Sequence, residues 1–188
     1  MTTTATKNVK HEASKATEHK VFGAFTTKAN AEGCYEALLF KGFTPSEINV
    51  MMSDKTRSRD YSYTLDKGAK AGSKAVEGVG VGGAIGTAVG ASLAALAAVG
   101  PTLALPGLGL VIAGPIAAAL AGGGAGALAG GAIGGLVGLG ITEQNAKRYN
   151  EALANGGVVI SVFTPNSKSA KTAQTLMVEH GGTEVAAF

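Results

Sequence analysis

The chain has 188 residues, enough for one compact domain or for a small domain with an appended element. Its 16 basic and 13 acidic side chains leave a net charge of only +3 and are scattered along the chain, which disfavours a nucleic-acid partner. Glycine contributes 29 residues, tryptophan is absent and aromatic residues make up 5%, which excludes an ordinary core built on aromatic anchors.

The first segment, residues 1–19, is polar throughout and has no apolar stretch of the length that a secretory signal needs. We predict a mobile arm, no signal peptide, and a protein that starts in the cytoplasm.

Residues 20–66 predict a β-α-β unit followed by a linker. In the first strand Val21 and Phe25 share one face, and Phe22 and Ala24 share the other. A helix that ends at Gly42 comes next, and a half-buried strand follows it. The apolar positions of this helix and strand are Ala31, Cys34, Tyr35, Leu38, Leu39, Ile48, Val50 and Met52. The single cysteine, Cys34, is expected to be a small apolar residue of the helix.

The linker contains two tyrosines, Tyr61 and Tyr63, preceded by Arg57 and Arg59. A solvated linker is the favoured interpretation, and anchoring of the tyrosines at a membrane interface is the alternative.

Residues 143–188 predict the pattern α-β-α-β. Thr142 caps the first helix and Ser167 the second. The strand "VVISVF" lies between them, and the short strand "TEVAAF" ends the chain. The inward positions of the two helices are Ala146, Tyr149, Leu153, Ala170, Ala173, Leu176 and Met177.

These two parts together predict an α+β fold, a ferredoxin-like four-stranded antiparallel sheet backed by helices. Residues 67–142, which we call the insert, interrupt it between the second and third strands. From Gly78 to Thr142 the insert carries no charged residue. Pro101, Pro106 and Pro115 divide it into two apolar arms, and each arm is long enough as a helix to exceed the roughly 30 Å hydrocarbon layer of a bilayer.

Glycine recurs every fourth residue along both arms, which lays small residues along one side of a helix and lets another helix come close. The insert is therefore predicted to be a glycine-zipper helical hairpin. Its two glycine rows are Gly78, Gly82, Gly86 and Gly90, then Gly122, Gly126, Gly130, Gly134 and Gly138.

Such helices do not form alone in water. The second arm holds ten glycines, each costing about 1 kcal/mol relative to alanine in a helix. The hairpin therefore needs lipid, or other copies of itself. Basic residues flank both ends of the insert, which favours both termini in the cytoplasm or peripheral attachment to anionic lipid. These residues are Lys67, Lys70, Lys74, Lys147 and Arg148.

Three stretches resemble a family of bacterial general stress proteins, the 17M-like group: "VFGAFTTKANAEGCYEAL", "PGLGLVIAGPIAAALAG" and "LVGLGITEQNAKRYNEALANGGVVISV". The resemblance covers nearly all of the chain after the polar arm. Thr142 departs from it, because such proteins often carry proline there. The resemblance implies a stress-induced, non-enzymatic protein that associates with membranes or with itself.

No catalytic, cofactor or metal site emerges. The GxGxxG pattern at Gly78, Gly80 and Gly83 does not follow a strand, which argues against a dinucleotide site. His11, His19 and His180 have no metal-ligating partner at a useful spacing, and no small-molecule substrate is indicated.

The leading hypothesis is a non-enzymatic, stress-related homo-oligomer that inserts into or scaffolds membrane lipid through its hairpin. It would lie at the cytoplasmic face of the inner membrane or in a cytoplasmic lipid-associated assembly. Two alternatives stay open: a membrane pore, and a soluble ligand-binding or regulatory oligomer with its hairpins bundled inside.

Overall fold

The computed structural model describes residues 19–61, 102–105, 109–117 and 131–188. The predictions for the polar arm before His19, for Tyr63 and for most of the insert lie outside these residues.

Six strands and five α-helices, besides a helical turn at residues 115–117, follow one another in the described part of the chain. In chain order they are β1 (His19–Phe25), α1 (Lys28–Phe40), β2 (Ile48–Ser53), α2 (Asp54–Thr56) with a π-helix (Arg57–Tyr61), β3 (Thr102–Leu105), β4 (Leu110–Ala113), α3 (Gly131–Gly138), α4 (Glu143–Ala154), β5 (Val158–Thr164), α5 (Ser167–Glu179) and β6 (Thr183–Ala187).

The strands form one antiparallel sheet in the order β3-β4-β2-β5-β1-β6. An α+β fold with an antiparallel sheet and helices is thus confirmed, but the predicted number of four strands is wrong. The two additional strands come from the proline-marked stretch, for which the sequence predicts a connection between two helices. Leu110–Ala113 pairs with β2, and Thr102–Leu105 forms the outer edge.

Apolar side chains cover both faces of the sheet. Val21 and Phe25 belong to one core cluster, with α1 and α5, while Phe22 and Ala24 belong to a second cluster with α3 and α4. This alternation confirms the predicted faces of β1. The half-buried character predicted for β2 is wrong, because the second helical layer also buries Asn49 and Met51.

Most of the predicted helix positions are confirmed. Thr142 accepts a hydrogen bond from the backbone N–H of Asn145 as the cap of α4. The cap of α5 is Asn166 rather than Ser167, because the Asn166 side chain accepts from the N–H of Ser169 at 2.8 Å. Gly42, which ends α1, has a φ of +93° that favours glycine.

The second arm of the insert is not one continuous helix from Pro115 to Gly140. Pro115 does begin a helical turn, as predicted, but that turn is described only to Ala117. Helix α3 starts at Gly131, whose φ of +64° lies in the left-handed region. A residue in that conformation interrupts a right-handed helix.

Candidate functional site: the junctions of the insert

Helix α3 brings two of the predicted zipper glycines, Gly134 and Gly138, to the protein surface. Leu136, on the opposite side of the helix, is only 3% exposed and packs against the sheet. A methyl group at Gly134 or Gly138 would meet no atom of the described residues within 4 Å. Val137, beside them, is 42% exposed. The outward face of α3 is therefore small, uncharged and sterically open.

The other seven glycines of the two predicted rows lie outside the described residues. They are Gly78, Gly82, Gly86, Gly90, Gly122, Gly126 and Gly130.

The end of α3 is fastened to the sheet by Lys20. The Lys20 ammonium donates to the backbone oxygen of Leu139 at 2.8 Å and lies 5.5 Å from the centre of the Phe163 ring. A cation at a helix C-terminus offsets the partial negative charge of the last carbonyl groups. This contact fixes the point where the insert rejoins the domain, and no local sequence pattern indicates it.

The beginning of the second arm is fastened by Asn49. Its side-chain oxygen accepts a hydrogen bond from the backbone N–H of Ile116 at 2.7 Å, and Ile116 is fully buried. Gly114 allows this approach, because a Cβ there would lie 2.6 Å from the backbone oxygen of Ile48. A polar residue inside the apolar strand "INVMMS" was the sequence signal for this contact.

A buried polar pair lies beside that contact. Asn49 faces Ser161 directly across the β2–β5 ladder, and both residues are fully buried. Within the described part of the chain, neither the Asn49 amide nitrogen nor the Ser161 hydroxyl has a hydrogen-bond partner. A buried polar atom without a partner usually costs about 1–3 kcal/mol, so Asn49 is retained at a cost in stability.

The exit from β2 towards the insert is held by a third cluster. Lys28 donates to the backbone oxygen of Asp60 at 2.7 Å, and its ammonium lies 4.9 Å from the centre of the Tyr61 ring. Tyr61 is 2% exposed, so neither a solvated linker nor an interfacial anchor describes this residue. The helical segment after β2 is short and strongly charged, which is why its sequence resembled a linker.

Glu32 completes this cluster from helix α1. Its carboxylate lies 3.6 Å from the Lys28 ammonium, yet the residue is only 3% exposed. Burial raises the pKa of Glu32, and the nearby positive charge of Lys28 opposes that effect only in part. The described parts of the insert are therefore joined to the domain by Lys20 and Asn49, and the Lys28 cluster, which contains the buried Glu32, holds the segment before the insert.

The described basic residues that flank the insert are paired with acidic groups. Lys147 lies 2.7 Å from the Glu143 carboxylate one helical turn earlier, and Arg148 pairs with Glu184 on β6. Hydrogen bonding to Glu143 raises the pKa of Lys147. These acidic partners offset the charge available for an anionic lipid. Lys67, Lys70 and Lys74 lie outside the described residues.

Other chemistry is sparse in the described ranges. They hold no group of three or more His, Cys, Asp or Glu side chains placed to bind a metal ion. Cys34 is fully buried, as predicted, and burial raises the pKa of its thiol to about 12. None of the helices in these ranges has both the length and the apolar character needed to cross a membrane.

Comparison of the chain with protein-family models, with curated proteins and with solved structures gave no match.

Proposed function

We propose that the protein is a non-enzymatic, stress-related assembly protein whose copies associate through the glycine face of α3 and gather membrane lipid with the uncharged insert. We further infer that β1, β2, β5 and β6, with α1 and α5, are a ferredoxin-like unit. Their order within the sheet, β6-β1-β5-β2, is the order expected of the split β-α-β plan. The insert contributes β3, β4 and α3 to this unit.

The outward face of α3 carries the proposal. Gly134 lies inside α3, where glycine costs about 1 kcal/mol relative to alanine, and Gly138 is the last residue of the helix. Nothing among the described residues requires that loss, because a methyl group at either position meets open space. Close packing of a second helix against this face would explain why glycine stands there, because small residues let two helix backbones approach each other.

Because α3 packs on the sheet, the second arm of the insert is limited in how far it can reach into a bilayer. Residues 118–130 join the buried Ala117 to Gly131, and as a helix they would span about 20 Å, less than the roughly 30 Å of a bilayer core. This arm crosses a bilayer only if Ile116 or α3 leaves the sheet. Residues 62–101 are subject to no such limit. The proposed lipid contact therefore belongs mainly to the first arm.

The same limit favours a second candidate function, a soluble oligomer with the second arms bundled inside. In that case the glycine face of α3 still forms the contact between copies, but no lipid accompanies the purified protein. Lipid content therefore separates the two candidates.

Substitutions on α3 test self-association. We expect the full-length wild type to form assemblies by light scattering, and Gly134→Ala/Gly138→Ala to form them less readily, because its methyl groups occupy part of the space that the glycines leave for a second helix. Gly134→Leu/Gly138→Leu is expected to shift the protein to smaller species, because a large side chain holds the helices apart. Both variants should melt no lower than the wild type, since alanine and leucine favour helix more than glycine.

Vesicle flotation tests the lipid half of the proposal. We expect the wild type to float with vesicles and to copurify with lipid. A lipid-free wild type that stays monomeric at every concentration would overturn both halves. An assembly without lipid would support the soluble oligomer.

A further inference from the structure

A basic groove lies on the face of the sheet opposite α3. It has a volume of about 300 Å³ and runs between the end of α1 and the face of α5. Lys41, Lys168 and Lys171 line it, together with two threonines, Leu176 and Glu179. Phe40, the residue before Lys41, is 89% exposed. None of these residues was singled out by the sequence, because their juxtaposition depends on how α1 packs beside α5.

The positive charge of the groove is offset only in part. None of the three lysines forms an ion pair with any described residue, and Glu179 is the only acid that lines the groove. Lys168 and Lys171 also lie near the start of α5, whose first turn has no acidic residue. A helix N-terminus carries partial positive charge, so cations are unfavourable there. The groove thus concentrates positive potential, and its lysines lower the stability of the helix.

The hydrogen-bond donors of the groove suit a broad anionic surface better than a small enclosed anion. The hydroxyl groups of Thr172 and Thr175 donate to the backbone oxygens of Lys168 and Lys171, at 3.1 Å and 3.0 Å. Only flexible, exposed ammonium groups are left to meet a ligand. Such groups hold a charged membrane surface without fixing the orientation of one molecule.

We propose that this groove, together with Phe40, docks the domain on the anionic headgroups of a bilayer. The lysines contact the headgroups and the Phe40 ring enters the interfacial region, as apolar residues of peripheral proteins do. The proposal rests on the proposed association with lipid. It adds that the lipid is anionic and that the groove with Phe40 is the surface that contacts it. It does not depend on the glycine face of α3.

Vesicle binding by the full-length protein tests the docking surface. Vesicles of phosphatidylcholine alone are compared with vesicles that also contain phosphatidylglycerol. The wild type is expected to prefer the anionic vesicles, and added salt should weaken this preference. Because each lysine near the surface contributes about a fivefold gain, Lys168→Gln/Lys171→Gln should lower the anionic partition coefficient about 25-fold.

Lys55→Gln/Lys147→Gln is the matched control, because it removes the same charge from exposed positions away from the groove. We expect it to change binding only a few-fold, whereas Phe40→Ala should weaken binding to anionic vesicles. Equal wild-type binding to both vesicle types would overturn the docking surface and leave the lipid association standing. A control that loses as much as the groove variant would also overturn it, as would displacement by millimolar inorganic phosphate at constant ionic strength.

Wild-type protein that binds neither vesicle type would overturn the proposed lipid association itself, and the docking surface with it. Assembly through α3 is measured separately by mass, so its failure is recognised independently.

Discussion

Gly114 shows how a single residue ties the insert to the sheet. Its φ is +105°, and a Cβ would lie 2.6 Å from the backbone oxygen of Ile48. Gly42 has a similar φ of +93°, but a Cβ there would meet nothing within 4 Å among the described residues. Comparing substitutions at the two glycines therefore separates the cost of a left-handed backbone from the cost of a steric clash.

We predict that Gly42→Ala lowers the free energy of unfolding by about 1–2 kcal/mol, the usual cost of left-handed backbone for a residue with a Cβ. Gly114→Ala should cost at least about 1 kcal/mol more, because the strand and the Ile116 contact must shift. Urea unfolding of both variants measures the difference. Equal losses would show that Gly114 is not held against β2.

Glu32 makes the stability of the domain depend on pH. A carboxyl whose pKa is raised in the folded protein binds more protons there than in the unfolded chain. Its contribution to stability is therefore lost as the pH rises from its ordinary pKa of 4.5 through the raised folded value. Asp60, whose pKa is lowered by its hydrogen bonds from Arg59, acts in the opposite direction at lower pH.

Glu32→Gln removes this titration and keeps Asp60. We predict that the stability of the variant, relative to wild type, increases between about pH 4 and pH 7, because only the wild type must bury a carboxylate. Denaturant unfolding at several pH values in that range measures the difference. A difference that stays constant across the range would contradict a raised pKa at Glu32.

At the scale of elements, the positions of the helices in the sequence were largely predictable, but the face of the sheet that each helix covers was not. The stripe of Ala146, Tyr149 and Leu153 follows from the 3.6-residue period, and all three residues are buried in α4. Periodicity does not say which face of the sheet a helix covers, so the burial of Met51 was missed. The cap of α5 was misplaced by one residue, because Asn166 and Ser167 are both good capping residues.

Strands β3 and β4 were missed because sequence context argued against them. "TLAL" and "LVIA" are only four residues each and lie among glycine and proline in an uncharged tract, where a break between helices was the simpler interpretation. Their pairing with β2 is a non-local contact, which a short apolar run does not encode by itself. For the same reason the junctions made by Lys20, Asn49 and Lys28 required the structure.

Helix α3 offers a test of the second layer. Leu136 is 3% exposed and Val137, its neighbour, is 42% exposed. Leu136→Ala is predicted to cost about 2–5 kcal/mol through the cavity that it leaves, and Val137→Ala less than about 0.5 kcal/mol beyond any loss of assembly. Thermal and urea unfolding at low protein concentration measure both. Similar losses at the two positions would mean that α3 does not pack on the sheet as described.

At the scale of the whole molecule, the described parts of the insert belong to the domain. They supply two strands and the helix α3 and are fastened by Lys20 and Asn49, while Lys28 holds the segment before the insert. The outward glycine face of α3 and the basic groove near Phe40 lie on opposite sides of the sheet. We therefore propose association between copies on one side of the sheet and contact with anionic lipid on the other.

The accessibility of a thiol on the glycine face tests the central claim most directly. Cys34 is buried, so Val137→Cys, at a position 42% exposed beside the two glycines, introduces an accessible thiol on α3 without filling the glycine positions. Val178→Cys, at a position 59% exposed on α5, provides the control. Alkylation rates are measured in the full-length protein across a range of protein concentrations. We predict that the rate at position 137 falls as concentration rises, while the rate at position 178 stays constant. A rate at position 137 that does not depend on concentration would contradict association through α3.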